Sequence, residues 1–217
     1  MSSPASSVGG PTLEFWQQRF ESQRTPWDRG AVNPALAPLV AGGVLPAGAR
    51  VLVPGCGAGY EVLALAASGL HPVGVDYAPA AVELTRARLA QAGLAAEVVQ
   101  ADLLDWRPSA PFDAIWDQAC LCALHPDLWF AYAQRLAAWA RPGGTLVLLA
   151  VQVEREGRHE GRIEGPPYHC DVNAVRALFP AERWQWPRPP YPRQAHPAGI
   201  AELQVVLTRL AEPRGAA

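Results

Sequence analysis

The pattern with the clearest chemical meaning lies at residues 51 to 60, which read VLVPGCGAGY. Three apolar residues and a proline precede glycine at alternate positions, Gly55, Gly57 and Gly59. Glycine allows sharp turns and close approach of a ligand to the backbone. In an open parallel sheet, ligands bind beyond the carboxyl ends of the strands. We therefore expect a ligand-binding loop, formed by these glycines together with Cys56.

This glycine loop does not have the spacing of dinucleotide-binding enzymes. Those enzymes carry G-x-G-x-x-G, in which the third glycine lets helix and strand pack closely and the helix N-terminus holds a pyrophosphate. Here the pattern is G-x-G-x-G, followed by Tyr60 and Glu61. Because a carboxylate at that helix start would repel a phosphate, we expect these two side chains to favour a zwitterionic or cationic ligand.

Two acidic residues follow at the ends of the next predicted strands. Asp76, beside Tyr77, can accept both hydroxyl groups of an unphosphorylated ribose. Asp102, beside Leu103, can accept the adenine amino group while leucine covers the ring. A single Asp in such a place is more often a helix cap. Glycines and two acids at successive strand ends nevertheless predict a nucleoside site without a phosphate site, and S-adenosylmethionine is a ligand of that kind.

The elements that must position these residues alternate between strands and helices. Segments predicted as strands read ARVLVPG, HPVGVD, AEVVQAD, FDAIWDQA and TLVLLAV, followed later by RWQW and IAELQVVLTRL. Such alternation is typical of a parallel sheet with helices on both faces. The sequence therefore predicts an α/β, Rossmann-like fold with a mostly parallel seven-stranded sheet.

Length and composition predict one domain. The chain has 217 residues, and its first ten, MSSPASSVGG, are small and polar, so we expect a disordered tail over residues 1–10. Residues 11–217 are expected to form a single domain, in which residues 11–45 are an N-terminal helical lid. Residues 154–168 are charged and rich in glycine, as in a mobile loop over a site.

Charge and residue usage exclude several functions. The formal net charge is −2, which argues against nucleic acid as a partner. All 18 basic residues are arginine, so Schiff-base chemistry on lysine and a P-loop lysine are excluded. Prolines, glycines or charges interrupt every apolar run well short of about 18 residues, and we expect no membrane-spanning segment.

The cysteines and the N-terminus predict the compartment. The four cysteines lack the paired C-x-x-C spacing of zinc sites, and we expect no metal site. The N-terminus has no positively charged region of the kind that secretory signals carry. A reduced, cytoplasmic location is therefore expected.

The order of the motifs resembles that of a known family. EFWQQRF, TPWDRG, VLVPGCGAGY, VGVDYAPAAV, WDQACLCALHP and GPPYHCD look like motifs of the thiopurine S-methyltransferase superfamily, which includes plant and microbial thiocyanate, halide and thiol methyltransferases. The similarity extends over roughly residues 14 to 210. It implies a class I S-adenosylmethionine-dependent methyltransferase acting on a small-molecule acceptor, and we expect a monomer.

The resemblance also implies which residues bind the cofactor. It assigns this role to Trp16, Trp27, Gly55, Asp76, Asp102 and Leu103. The tryptophans would cover the cofactor from the lid, the first aspartate would bind the ribose, and the second, with its leucine, would meet the adenine. An aromatic face attracts a sulfonium cation and shields it from water. We expect Asp117, at the end of the fourth strand, to contact the cofactor as well.

Two positions depart from the drug-metabolising branch of that superfamily. There, the segment matching WDQACLCAL commonly carries an arginine that contacts the substrate, whereas this chain has Gln118. The acidic ribose residue is also glutamate in that branch and Asp76 here. Because Gln118 and the CLCAL run are more similar to the microbial thiol and thiocyanate branch, the expected acceptor is a thiol or thiocyanate.

Methyl transfer from a sulfonium is an in-line displacement, which needs alignment and removal of water but neither a metal nor a covalent intermediate. The candidate catalytic residues, which could take or orient a thiol proton, are Asp117, Gln118, His125 and Tyr168. His125 precedes a proline at a helix start, so helix capping is its simpler interpretation. Two alternatives stay open: a halide, selenium or other metalloid acceptor, and an inactive cofactor-binding regulatory protein.

Overall fold

The computed structural model describes residues 10–155, 160 and 162–211. The predicted tail, apart from Gly10, lies outside the described residues, as does part of the predicted loop at residues 154–168. Within the described ranges, no helix combines the length and apolar character needed to cross a membrane.

From residue 10 onward, two short helices precede the sheet, α1 (Leu13–Glu21) and α2 (Leu36–Ala41). The Thr12 side chain begins α1 by accepting a hydrogen bond from Phe15 N at 3.3 Å, as an N-cap residue should. None of the residues of α1 is buried, although the helix carries three aromatic side chains. This helix therefore packs against the rest of the chain through one partly covered face.

The remaining elements alternate as the sequence predicts. In chain order they are β1 (Arg50–Pro54), α3 (Tyr60–Ala67), β2 (His71–Asp76), α4 (Pro79–Ala92), β3 (Glu97–Gln100), β4 (Phe112–Gln118), a 3₁₀ turn (Leu121–Ala123), α5 (Pro126–Trp139), β5 (Ala140–Gln152), α6 (Val172–Leu178), β6 (Trp184–Gln185), β7 (Arg193–Ala195) and β8 (Ala201–Arg209). Proline begins α4 and α5, where its missing N–H costs no hydrogen bond.

The strands form one sheet in the order β3-β2-β1-β4-β5-β8-β6, with β7 paired to β8. The first five strands are parallel and β8 is antiparallel to β5. The prediction of a mostly parallel sheet is confirmed. In the described residues the sheet has eight strands, one more than the seven predicted. The additional strand, β7, lies in the segment PRPPYPRQAHP, for which no strand is predicted.

Strand alternation divides the core into two layers. Val51 and Val53 of β1 pack with α2, α3 and α4, whereas Leu52 packs with α5 and α6 on the other face. Strand order reverses between β1 and β4, and in such sheets the crevice beside that point is where ligands bind. The glycine loop follows the carboxyl end of β1, and Gln118 is the last residue of β4.

Candidate cofactor and acceptor site

The glycine loop after β1 requires glycine for steric reasons. Gly55, Gly57 and Gly59 have φ values of +58°, +53° and +78°, a region that other residues rarely adopt. A Cβ atom at Gly59 would lie 2.6 Å from the Thr85 side chain of α4. Thr85 Oγ1 in turn donates to Gly57 O at 2.9 Å. Because these glycines have no side chain, Thr85 of α4 can pack against the loop and hold it in place.

Three of the loop amides are already engaged within the protein. Gly57 N donates to Asp76 Oδ2 at 2.8 Å, Cys56 N to Val75 O at 3.1 Å, and Gly59 N to Cys56 O at 2.9 Å. A pyrophosphate would need such N–H groups free to point at it. The loop therefore suits a ligand that packs against its backbone better than a ligand that binds through a phosphate group.

Asp76 closes this loop from the end of β2. Its Oδ1 accepts from Ala78 N at 2.9 Å, and its side chain is almost fully buried. Burial raises the pKa of the Asp76 carboxyl, and the backbone hydrogen bonds oppose that shift in part. Each carboxylate oxygen can accept more than one hydrogen bond. Asp76 therefore keeps acceptor capacity for the hydroxyls of a ribose.

Asp102 and Tyr77 lie beside Asp76 at the adjoining strand ends. Asp102 Oδ1 accepts from Leu104 N at 2.8 Å, and among the described residues its other oxygen has no hydrogen-bond partner. Leu103 is buried beside it. Partial burial raises the pKa of Tyr77, and the Asp102 carboxylate raises it further. This grouping fits the sequence prediction of an adenine site.

The aromatic cluster of Trp16, Phe20 and Trp27 reaches the glycine loop through Phe20. The Trp16 and Trp27 rings lie 5.3 Å apart in an edge-to-face arrangement, and Phe20 is 6.0 Å from Trp27. A Cβ atom at Gly57 would lie 3.6 Å from the Phe20 ring. Gln17 anchors the helix by accepting a hydrogen bond from Ala80 N at 3.0 Å. The two predicted lid tryptophans are thus brought together, and Trp27 lies beside Phe20, which borders the loop.

Tyr60 and Glu61 have a different role from the one expected. The Tyr60 hydroxyl accepts from Arg88 Nη2 at 3.0 Å, and the guanidinium lies over the Tyr60 ring. Glu61 Oε1 accepts from Asn33 N at 2.9 Å, and burial raises the pKa of this carboxyl. The interpretation of the pair as ligand-facing groups is therefore wrong.

Asp117 is turned into the core. Its side chain is 0% exposed, Oδ2 accepts from the Tyr132 hydroxyl at 2.8 Å, and Oδ1 accepts from Cys120 N at 3.2 Å and Leu121 N at 3.3 Å. Burial raises the pKa of Asp117 to about 6. The enclosed turn includes Ala119, whose φ of +61° is strained for a non-glycine residue. In this structure Asp117 stabilises the turn. Contrary to the expectation that it contacts the cofactor, its side chain does not reach the surface of the glycine loop.

Gln118 is oriented by the indole of Trp116. The Trp116 Nε1–H donates to Gln118 Oε1 at 3.3 Å, and Trp116 itself is fully buried. An indole nitrogen can only donate, so the amide oxygen must face it. The Gln118 amide nitrogen therefore points the other way, with two N–H donors at the end of β4.

His125 and Tyr168 are in contact, with ring centroids 5.4 Å apart in an edge-to-face arrangement. His125 Nδ1 accepts from Asp127 N at 3.4 Å at the start of α5, so the capping interpretation is confirmed. Tyr168 N donates to Cys122 O at 2.8 Å, which joins the loop after β5 to the 3₁₀ turn. Burial raises the pKa of Tyr168, which moves it further above neutral pH, so the protonated hydroxyl can donate a hydrogen bond.

The four cysteines are buried and unpaired: Cys56, Cys120, Cys122 and Cys170. Burial raises the pKa of each thiol, and nearby acids add to the shift. Over the described part of the chain, no group of His, Cys, Asp or Glu side chains is arranged to hold a metal ion. Gly55 approaches one thiol closely, since a Cβ atom there would lie 3.2 Å from Cys120 Sγ.

Comparison with known proteins identifies the family. The family described as Thiopurine S-methyltransferase (TPMT) matches residues 11–188. This chain belongs to the thiopurine S-methyltransferase family. The prediction drawn from the motifs is confirmed, and the protein is an S-adenosylmethionine-dependent methyltransferase.

Several relatives of this family member are similar over most of their length. It is 38% identical over 167 residues to "Probable thiol methyltransferase 2" of Arabidopsis thaliana, covering 76% of this chain and 70% of that one. It is 33% identical over 166 residues to "Thiocyanate methyltransferase 1" of the same plant, with the same coverage of 76% and 70%. It is 31% identical over 181 residues to "Thiopurine S-methyltransferase" of Legionella pneumophila (strain Paris), covering 76% and 79%.

A solved structure shows the same fold. The 1,6-didemethyltoxoflavin-N1-methyltransferase of Burkholderia thailandensis, described with S-adenosylhomocysteine, superposes with a TM-score of 0.73 at 22% identity, covering 95% of this chain and 93% of that one. The predicted class I methyltransferase fold is thus confirmed.

The residues of this methyltransferase fit its cofactor. Asp76 and the unpartnered oxygen of Asp102 provide acceptors for hydroxyl and amino groups, while Leu103 provides an apolar surface. Trp16 and Trp27 provide aromatic surface suited to a sulfonium. These features match an adenosyl group that carries a cation and no phosphate.

Sequence reasoning missed three residues of this site: Phe20, Trp116 and Tyr132. Trp116 lies two positions before Gln118, so both face the same side of β4. That spacing could have suggested their contact. Tyr132 lies 15 residues after Asp117 on the next helix, and only the packing of α5 on the sheet joins the two.

Proposed function

We propose that this methyltransferase moves a methyl group to a small, soft and anionic acceptor, most simply a thiolate or thiocyanate. The observation that carries the proposal is the Gln118 amide, whose N–H groups are directed away from Trp116 at the switch point of the sheet. Two N–H donors suit an anion without pairing it with a full charge. The names of the plant relatives, thiol and thiocyanate methyltransferases, support the same acceptor class.

On the cofactor side, S-adenosylmethionine supplies a methyl group bound to a sulfonium. We propose that Asp76 accepts hydrogen bonds from the ribose and that Asp102 and Leu103 meet the adenine. The loop residues Gly55, Cys56, Gly57 and Gly59 would line the cofactor with backbone surface, and Tyr77 would lie beside the adenosine. Trp16 and Trp27 would cover the sulfonium and exclude water.

On the acceptor side, this chain orients the nucleophile and strips it of water. Gln118 would donate to the anion, and the protonated Tyr168 hydroxyl is a second donor, positioned by its contact with His125. Thiocyanate needs no base, because it is an anion at neutral pH. For a thiol, His125 is the candidate to take the proton, for which its Nδ1 would have to give up the capping hydrogen bond from Asp127 N. Asp117 positions the turn that carries Gln118.

The same N–H donors would also bind a halide or a selenium anion, because amide N–H groups donate hydrogen bonds to any of these soft anions.

We also propose that residues 11–217 act as one domain with residues 11–45 as its lid. The protein would work as a cytoplasmic monomer. It would not bind nucleic acid, in line with its formal net charge of −2.

The test is a panel of acceptors with methyl-labelled S-adenosylmethionine. Thiocyanate, a small thiol, iodide, selenide and a thiopurine are compared at equal concentration, with catalytic efficiency as the readout. The proposal expects the small soft anions to exceed the thiopurine. Tight binding of S-adenosylhomocysteine with no turnover on any acceptor would instead indicate the regulatory alternative.

A further inference from the structure

The segment that carries Trp27 has no regular secondary structure. No helix or strand is present between Glu21 and Leu36, a stretch that the structure describes completely. Asp28 N donates to Thr25 O at 2.9 Å, which closes a turn that contains Trp27. Contacts with the rest of the protein must therefore fix where this side chain lies.

The backbone of Trp27 is bonded to a buried histidine. His196 follows β7, is 7% exposed, and its Nε2 lies 3.0 Å from Trp27 O. Ala198 N donates to His196 Nδ1 at 3.1 Å, so Nδ1 carries the lone pair. In the neutral ring the proton is then on Nε2, which donates to the Trp27 carbonyl.

An arginine two residues further on makes a buried ion pair. Arg29 Nη2 lies 2.6 Å from Glu202 Oε2 on β8, and Arg29 Nη1 donates to Ala195 O at 3.0 Å. Glu202 also accepts from Asn33 Nδ2 at 2.9 Å. The side chains of Arg29 and Glu202 are 8% and 1% exposed, so these charge-assisted bonds are shielded from water.

These contacts join the lid to the last two strands of the sheet. Trp27 packs edge-to-face on Trp16 and lies near Phe20, which faces the glycine loop at Gly57. A shift of the segment would therefore move the aromatic surface that borders the loop.

We propose that Arg29, Asn33, His196 and Glu202 form a tether that positions Trp27 over the cofactor. The proposal rests on the cofactor-covering role of Trp27 proposed above and adds the residues that hold it in place. They are positioning residues, because they act through Trp27.

A double-mutant cycle in the full-length chain tests the tether. His196→Leu removes the donor to the Trp27 carbonyl, and His196→Gln retains an N–H donor. Binding of S-adenosylhomocysteine is measured by calorimetry for both, for Trp27→Ala and for the Trp27→Ala/His196→Leu double variant. Asp113→Asn, which removes an ion pair with Arg141 (2.6 Å) at the opposite end of the sheet, controls for general loss of stability.

The tether predicts that His196→Leu weakens binding about tenfold, as expected for a lost hydrogen bond of this kind. His196→Gln should bind S-adenosylhomocysteine with an affinity within about twofold of the parent. The corresponding free-energy difference is well below that of one lost hydrogen bond. Asp113→Asn should leave affinity unchanged. In the Trp27→Ala background, His196→Leu should have no further effect, because the side chain that it positions is gone.

Two results would overturn the tether alone: normal binding by His196→Leu while Trp27→Ala binds weakly, or losses that multiply in the double variant. Normal binding by Trp27→Ala would overturn the lid role and the tether together. Should His196→Leu fail to fold, Glu202→Gln replaces it, with a loss of about threefold expected in the parent and none in the Trp27→Ala background. The acceptor panel is independent of all these outcomes.

Discussion

The amide of Gly57 donates to the carboxylate of Asp76 at 2.8 Å, so the acid at the end of β2 closes the loop that follows β1. One side chain thus shapes the loop, and we propose that it also presents acceptors to the ligand. A lost carboxylate at this position should change both the fold of the loop and the affinity for the cofactor.

For Asp76, we expect Asp76→Ala to weaken S-adenosylmethionine binding by about 1 to 3 kcal/mol, the range for a lost charged hydrogen-bond partner. Asp76→Asn should lose less, because its remaining oxygen still accepts from one of the two backbone amides. Calorimetry and thermal unfolding measure the two effects separately. Parent-like affinity in both variants would reduce Asp76 to a loop cap.

Asp117 should make stability depend on pH. The folded-state pKa is raised from 3.8 to about 6, so the contribution of this group to stability is fully present below pH 3.8 and is lost as pH rises through about 6. Asp117→Asn has no charge to bury and should gain stability relative to the parent between pH 4 and 7, by up to about 3 kcal/mol.

Denaturant unfolding of Asp117→Asn and the parent at pH 4 and pH 7.5 checks this difference, and turnover at pH 7.5 checks the role of the side chain. A positioning residue predicts retained turnover in Asp117→Asn. An equal stability gap at both pH values contradicts the burial argument, and abolished turnover in a well-folded variant would restore Asp117 as a catalytic group.

Gln118 should control affinity for the acceptor. Gln118→Glu replaces two N–H donors with a negative charge, so KM for thiocyanate should rise by tenfold or more, about 1.4 kcal/mol. Trp116→Phe leaves the amide free to rotate and should cause a smaller rise. Neither change should alter KM for S-adenosylmethionine, and steady-state kinetics on both substrates separate the effects. An unchanged thiocyanate KM in Gln118→Glu would remove Gln118 from the acceptor site.

Helix α1 of the lid should be removable without unfolding the sheet. Because α1 has no buried residue, deletion of residues 1–22 should leave circular dichroism of the sheet unchanged while raising KM for S-adenosylmethionine at least several-fold. Deletion of residues 1–9 is the matched control and should have no effect. A deletion past Arg29 is unsuitable, because it would leave Glu202 buried without its cation. Parent-like kinetics after removal of α1 would contradict the lid role of Trp16.

The order of strands and helices could be predicted because local signals agree with the fold. Glycine and proline mark the ends of α4, whose first turn holds Pro79 and whose end is followed by Gly93 in a left-handed conformation. The glycine loop and Asp76 could be paired because parallel strands bring their carboxyl ends to one edge.

Side-chain direction could not be predicted in the same way. Asp117 and Glu61 both lie next to the site in sequence, yet Asp117 points to Tyr132 and Glu61 to Asn33. Their partners are 15 and 28 residues away, so the packing of distant elements decides the outcome. Likewise, Glu202 is a polar residue in an apolar strand pattern, and only the lid segment explains it.

The most direct test of a small, soft, anionic acceptor compares two substrates of the parent enzyme. The measurement is kcat/KM for thiocyanate divided by kcat/KM for a thiopurine. Both reactions use labelled S-adenosylmethionine under identical conditions, so cofactor binding cancels in the ratio. The account predicts a ratio well above one, which falls towards one in Gln118→Glu. A ratio below one that Gln118→Glu does not change would contradict it.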